Sequence, residues 1–209
     1  MTTDGADWLI HVNPMSGPSY KVALVLALCG VTPCLHFVDL RAGEQKAPEF
    51  LAKNPFGQVP VLEHRGRSLA QSASILEYVA AVTGRLGATD EADRAEIRAW
   101  MYWDFDRLAS SLYRARTARL GIRPLDPAVV AHYEQFGAQA LDTLEAHLTG
   151  RDWLVGGAVT IADVDVYGTV GYAADAGFDL SARPAISAWI ARIEALPGWA
   201  PPAKLLAPV

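Results

Sequence analysis

Cysteine is scarce: the 209 residues hold two, Cys29 and Cys34, with four residues between them. Neither a disulfide framework nor a tetrahedral metal set can be built from them, so a reducing compartment, the cytoplasm, is the expected home. The five histidines (His11, His36, His64, His132, His147) are scattered and none stands near an acid at H-E-x-x-H spacing, so no metal is expected. Long apolar runs are missing too. The longest, Val22 to Cys29, falls far short of the roughly 20 residues that span a bilayer, and no membrane partner is expected. The first nine residues carry two Asp and no basic residue, which predicts no secretory leader. Clustered Lys and Arg are also lacking. With 18 basic against 23 acidic residues and a net charge of −5, the chain has no phosphate-neutralising footprint, and nucleic acid is not an expected partner.

What is present is a globular composition, 51% apolar and 20% charged, long enough for one large domain or two small ones. Trp8 to Val12 reads as a strand broken by Asn13-Pro14, and Ser16-Gly17-Pro18 opens a helix from about Ser19 to Cys29. Lys21 is the only charge in that helix, so it is predicted to be sandwiched within the fold and ended by Gly30. Val31 to Leu40, with Leu35 and Phe37 on one side, reads as a second strand reached by a crossover helix, hence a parallel pair. A short helical segment around Glu49 to Lys53 and an Asn54-Pro55-Phe56-Gly57 turn lead to a hairpin of Val59 to Glu63 and Ser68 to Ala70, looped by His64 to Arg67. Ser72 to Thr83 is then an amphipathic helix. The order β-α-β-α-β-β-α predicts a thioredoxin-like α/β domain over 1–84, with helices on both faces of a mixed four-stranded sheet.

Past a linker at 85–92, strand signals fade and 93–209 is predicted to be an all-α helical bundle. Ile97, Met101, Phe105, Leu108 and Leu112 recur along one long helix. Asp126-Pro127 starts another, expected to bury Val129, Tyr133, Phe136, Ala140 and Leu144. Thr160-Ile161-Ala162-Asp163 has the form of a capping box, which gives Asp163 a role in folding and not in catalysis. Arg183-Pro184 opens a last helix with Ile186, Trp189, Ile190 and Ile193 inward. The tail with Pro201, Pro202 and Pro208 is expected to lie extended over the surface.

Several residues could carry chemistry. Ser16 precedes a helix, where its hydroxyl either caps that helix or donates to an anion; no neighbouring base and no G-x-S-x-G elbow support it as a nucleophile. Val59-Pro60 opens a strand in which Pro would waste a ladder donor, and either a cis bond or an edge position resolves this. At Gln71-Ser72 a strand meets a helix, so Ser72 reads as an N-cap whose neighbouring amides suit a carboxylate. On the long helix Tyr102, Asp106, Ser110, Tyr113 and Arg116 fall three or four apart, a polar and aromatic stripe that fits a substrate cleft or a partner subunit.

Over nearly its whole length the chain resembles a glutathione transferase. Asn13-Pro14-Met15-Ser16 followed by Lys21-Val22 is similar to the phi and theta classes, and Gln45-Lys46, Gln58-Val59-Pro60 and Gln71-Ser72 recur 13 residues apart, as the glutathione-contacting segments of phi-like enzymes do. The resemblance implies that Ser16 is catalytic, donating its hydroxyl to the glutathione sulfur and stabilising the thiolate that attacks a hydrophobic electrophile. It further implies that Lys46, with Gln45, faces the glycyl carboxylate, that the backbone of Val59, between Gln58 and Pro60, pairs with the cysteinyl part, and that Gln71 and Ser72 hold the γ-glutamyl end. The electrophile site is expected at Met15, Tyr102, Asp106, Tyr113 and Arg116. Glutathione is the cosubstrate, a homodimer is implied, and Asp104 or Asp106 of a second subunit is placed near the γ-glutamyl end. Gln71 departs from the Glu of many classes and gives the γ-glutamyl ammonium a weaker partner. Gln-Ser is also similar to the zeta class, which isomerises maleylacetoacetate, although the Ser-Ser-Cys run of that class is here Ser16-Gly17-Pro18-Ser19. A non-catalytic binding or scaffold protein on the same fold is the remaining alternative. Cys29 and Cys34, on a helix end and a strand, are not placed for thiol chemistry of the cysteine-type relatives.

Overall fold

The computed structural model describes residues 7–207. Most of the segment on which the absence of a leader was read, and Pro208 of the tail, lie outside the described residues. The described chain divides into two compact units, Met1–Gly87 together with Leu196–Val209, and Ala88–Ala195. Among the described residues no helix is long and apolar enough to cross a membrane.

The first unit runs β1 (Trp8–Val12), α1 (Gly17–Leu28), β2 (Cys34–Phe37), a 3-10 turn (Glu44–Lys46), α2 (Pro48–Leu51), β3 (Val61–His64), β4 (Arg67–Ala70) and α3 (Ser72–Thr83). The strands form one sheet in the order β2-β1-β3-β4. β1 lies parallel to β2, with Val12 opposite Phe37, and antiparallel to β3, with His11 opposite Val61; β3 pairs antiparallel with β4. The parallel pair needs a crossover, and α1 supplies it. Nearly every face of α1 is apolar, and it is buried almost throughout, packed on β1 and α3. The hairpin is tighter than its sequence suggested. Its loop is only Arg65-Gly66, both at positive φ (50° and 72°), the two-residue geometry whose twist matches paired strands.

The tail departs from its expected course. Instead of lying extended, it forms the short helix α9 (Pro202–Leu205), because Pro at the first helical position costs no donor. α9 packs on α1, Leu206 is buried, and the Tyr20 hydroxyl donates to Ala200 O at 3.0 Å. Gly198, at φ +92°, sits on the end of α1 so closely that a Cβ would stand 2.4 Å from Ala27 O.

The second unit holds α4 (Glu91–Trp103), a π-helical segment (Asp104–Ala109), α5 (Ser110–Arg119), α6 (Pro127–Leu148), α7 (Ile161–Val170) and α8 (Pro184–Glu194). Asp90 caps α4 by accepting from Asp93 N at 2.8 Å. α7 is buried at every residue, with α4, the π segment and α5 packed around it. The Asp163 capping box is formed: Oδ2 accepts from Thr160 N at 2.9 Å and Thr160 Oγ1 at 3.1 Å. Oδ1 accepts from Leu154 N and Trp189 Nε1, both at 2.9 Å. Burial pushes the Asp163 carboxyl up, against the pull of these four donors. Along α6 the expected inward face holds only in its second half: Ala140 and Leu144 are buried, but Val129 and Phe136 are exposed and Tyr133 is half-buried, because the first half of α6 meets α5 through polar contacts, Arg114 over the Tyr133 ring and Arg119 paired with Glu134.

Candidate functional site

Every segment singled out in the first unit emerges at one end of its sheet. The loop holding Ser16 follows the C-terminal end of β1, and Gln45 and Lys46 follow that of β2. Because β3 runs the other way, Gln58, Val59 and Pro60 precede its first residue, which is paired with His11 on one side and Ala70 on the other. Gln71 and Ser72 follow Ala70 directly. With strands about 4.8 Å apart, this end of a four-stranded sheet is about 14 Å wide.

Ser16 is the N-cap of α1: its Oγ accepts from Ser19 N at 3.2 Å, its backbone is extended (φ −89°, ψ 113°), and its own N–H donates to Asn13 O at 3.0 Å. One lone pair of the hydroxyl is thereby used, and among the described residues its proton meets no acceptor. The capping role and a donor role are therefore compatible. Asn13, legible in the sequence only as a strand breaker, ties the loop down. Its Oδ1 accepts from Met15 N at 3.0 Å, its Nδ2 donates to Val38 O at 3.0 Å, and its N–H donates to Ser19 Oγ at 3.3 Å. The signal was present in Asn-Pro-x-Ser, since Asn bonds the backbone two residues on.

The other loops are equally fixed by local polar contacts. Lys46 Nζ donates to Gly57 O at 3.0 Å, and a Cβ at Gly57 would stand 2.7 Å from that Nζ, so this contact requires glycine. Gln45 Nε2 donates to Leu40 O at 3.3 Å, while its buried Oε1 has no partner among the described residues. Asn54 is buried and donates to Gln58 O at 2.6 Å, setting the turn before Val59. The Val59-Pro60 peptide is cis. β3 begins at Val61 and not at Val59 as the pattern suggested, which leaves the Val59 backbone outside the ladder.

At the last junction the cap is one residue earlier than expected. Gln71, at φ 68° and ψ 117°, is the N-cap of α3 without a side-chain cap bond, and Ser72 is its first helical residue. A Gln at such a φ is strained by about 1–3 kcal/mol, a conformation that concentrates at ligand-contacting turns. Its exposed side chain makes no cap bond, which leaves the first amides of the helix open to an anion.

The long-helix stripe does not form a single face. The π segment Asp104–Ala109 inserts one residue into the turn, which rotates everything beyond it by about 100° relative to a continuous helix. Ser110 and Ser111 donate to the Asp106 and Arg107 carbonyls that the wider turn displaces. Tyr102, before the segment, and Asp106, within it, are exposed, Asp106 beside Arg107 at 2.8 Å, whereas Tyr113, beyond it, turns inward to donate to Gly168 O at 3.0 Å. Arg116 is buried, its Nε 3.1 Å from Asp175 Oδ2 and its guanidinium stacked 4.2 Å from the Tyr172 ring centre. Burial pushes the Tyr172 hydroxyl up to about 12. Asp104 is 1% exposed and accepts from Thr169 Oγ1 at 3.2 Å, so it cannot reach another subunit as expected, whereas Asp106 is exposed. Met15 is half-exposed beside Ser16.

Comparison with known proteins agrees with this geometry. Residues 11–81 match the model of the glutathione S-transferase N-terminal domain and residues 137–192 that of the C-terminal domain. Glutathione S-transferase PARB of Nicotiana tabacum is 31% identical over 91% of this chain and 94% of its own. A solved structure of a possible glutathione S-transferase from Rhodopseudomonas palustris is 38% identical with a TM-score of 0.86, covering 93% of this chain and 89% of that one. That of glutathione S-transferase from Pseudomonas fluorescens is 30% identical with a TM-score of 0.90, covering 94% and 99%. Two domain models in register with the sheet end and the helical unit, and relatives matched over almost their full length, place the chain in the glutathione S-transferase family of enzymes.

Proposed function

We propose that the chain binds glutathione across the loop end of its sheet, ionises the thiol with the Ser16 hydroxyl, and adds the thiolate to a hydrophobic electrophile. The observation that carries the reading is the convergence of Ser16, Lys46, the Val59 backbone and the Gln71 turn on one sheet end. An extended tripeptide spans about 10 Å, within the width of that end. Lys46, released from Gly57 O, meets the glycyl carboxylate with Gln45; the Val59 N–H and C=O, free of the ladder, pair with the cysteinyl unit between Gln58 and Pro60. Gln71 and the open amides of Ser72 and its neighbours take the γ-glutamyl carboxylate. The sulfur then lies toward Ser16, whose hydroxyl proton is without an acceptor among the described residues, at the positive end of α1. Of the residues expected to hold the electrophile, Met15 stays in the reading as an exposed apolar surface beside Ser16. Tyr102 and Asp106 are assigned to a homodimer face with Phe105, since Tyr102 and Phe105 are 66% and 73% exposed. Tyr113 and Arg116 are assigned to the interior of the helical unit.

A cytoplasmic detoxifying enzyme fits this chemistry, and the two free thiols, one of them exposed on β2, suit a reducing compartment. The test is calorimetric titration of glutathione into wild type and Lys46→Ala, with initial rates of thioether formation on an activated halonitroarene. Binding weakened about tenfold in the variant, with measurable wild-type turnover, supports the reading. Absence of binding by the wild type removes it in favour of a scaffold, and binding without thioether formation favours isomerisation.

A further inference from the structure

Asn13, Ser16 and Ser19 form a closed hydrogen-bonded ring. The Asn13 N–H donates to Ser19 Oγ at 3.3 Å, the Ser19 N–H donates to Ser16 Oγ at 3.2 Å, and the Ser16 N–H donates back to Asn13 O at 3.0 Å. The Asn13 side chain anchors that ring from outside, reaching Val38 O beyond β2 and Met15 N within the loop, both at 3.0 Å. Val38 is itself fixed to the sheet, its N–H donating to Val12 O at 2.9 Å. Ser19 is fully buried, so the ring has one face in the core and one, Ser16, toward solvent.

We infer that Asn13 is a positioning residue for thiol ionisation: it holds the Ser16 hydroxyl in one rotamer, with its lone pair on the Ser19 amide and its proton outward. This rests on the proposed role of Ser16. Two physical effects follow from the ring. Accepting an N–H polarises the Ser16 oxygen and makes its own O–H a stronger donor. A hydroxyl with one fixed acceptor direction needs no reorganisation when a thiolate arrives, which is what a preorganised donor contributes. Without the Asn13 carboxamide, Met15 N–H and Val38 O lose their partners and the Pro14-Met15 turn is free to move, although the α1 cap itself remains. Asn13 touches neither the sulfur nor the electrophile in this account, so its effect falls on ionisation and not on affinity.

The test measures thiolate absorbance of bound glutathione against pH, with calorimetric affinity, for wild type, Asn13→Ala, Asn13→Ser, Ser19→Ala and Ser16→Ala. In Asn13→Ala the ionisation midpoint is expected to rise by about one pH unit, an about tenfold loss of thiolate near neutrality, while affinity stays within about threefold. Asn13→Ser, whose hydroxyl can close the turn on Met15 N–H, is expected to recover more than half of the loss. Ser19→Ala, a one-oxygen deletion that spares the cap amide, is expected to move the midpoint in the same direction by less. Ionisation unchanged in both Asn13→Ala and Ser19→Ala overturns the inference. Equal losses of affinity and ionisation in Asn13→Ala without recovery by serine also overturn it, as the mark of a merely structural residue. If Ser16→Ala ionises glutathione as wild type does, the role of Ser16 falls first and the positioning role with it.

Discussion

Replacing Asp163 by Ala tests whether that acid serves folding alone. Its two oxygens take four donors, and two of them, Leu154 N–H and Trp189 Nε1–H, come from segments outside α7 that Asp163 ties to the start of that helix. Asp163 and Trp189 are both fully buried, so water cannot replace the carboxylate. Each of these two orphaned buried donors costs about 1–3 kcal/mol, and losing the cap costs about 1 kcal/mol more, a sum of about 3–7 kcal/mol. That is a large part of the about 5–15 kcal/mol that holds a domain folded. In urea, with a slope of about 2 kcal/mol per molar, the unfolding midpoint is expected to fall by about 1.5–3.5 M. Asp163→Asn keeps an acceptor for Leu154 and Trp189 but turns an amide against Thr160 N–H, so about half of that loss is expected. Specific activity per folded molecule, measured well below the transition, is expected to match wild type for both. A shift in Asp163→Ala of less than about 0.5 M, or lost activity in a fully folded variant, refutes the reasoning.

Gly198→Ala is expected to lower the thermal midpoint by several degrees, because φ +92° is strained for alanine and its Cβ meets Ala27 O at 2.4 Å; an unchanged midpoint contradicts the fixed seating of the tail on α1. Stability is expected to fall on acidification from about pH 7.5 to about pH 5.5. Burial holds His11 and His64 below their ordinary value, with the Glu63 contact partly offsetting this for His11, so the unfolded chain takes up protons first as pH drops through about 6.5. A urea midpoint that rises over that interval contradicts the assignment. Wild type is expected to elute as a dimer on gel filtration and the double variant Tyr102→Glu, Phe105→Glu as a monomer, and an unchanged dimer moves the interface elsewhere.

Much of this was legible in the residues, for reasons that can be named. An all-round apolar helix between two strands has to be a buried crossover, so α1 and the parallel β1–β2 pair could be read directly. The dipeptides Gln45-Lys46, Gln58-Val59 and Gln71-Ser72 lie in a 3-10 turn, the turn before β3 and a strand–helix junction, short local units whose spacing survives folding, and they meet at one sheet end because the strand directions bring them there. The helix-long stripe failed for the opposite reason. A spacing of three or four presumes an unbroken 3.6-residue turn, and nothing in Asp104-Phe105-Asp106 marks the extra residue of the π segment. Gln71 could not be read as a cap because propensity does not place Gln at positive φ, and the tail was misread because Pro signals a helix start as readily as an extended segment.

The central claim is that Ser16 ionises glutathione, and ultraviolet thiolate absorbance of the bound thiol across neutral pH, in wild type and Ser16→Ala, tests it most directly. Both proteins are expected to bind glutathione, and only wild type to hold it as thiolate near neutrality. A Ser16→Ala variant that ionises bound glutathione at the same pH as wild type contradicts the claim.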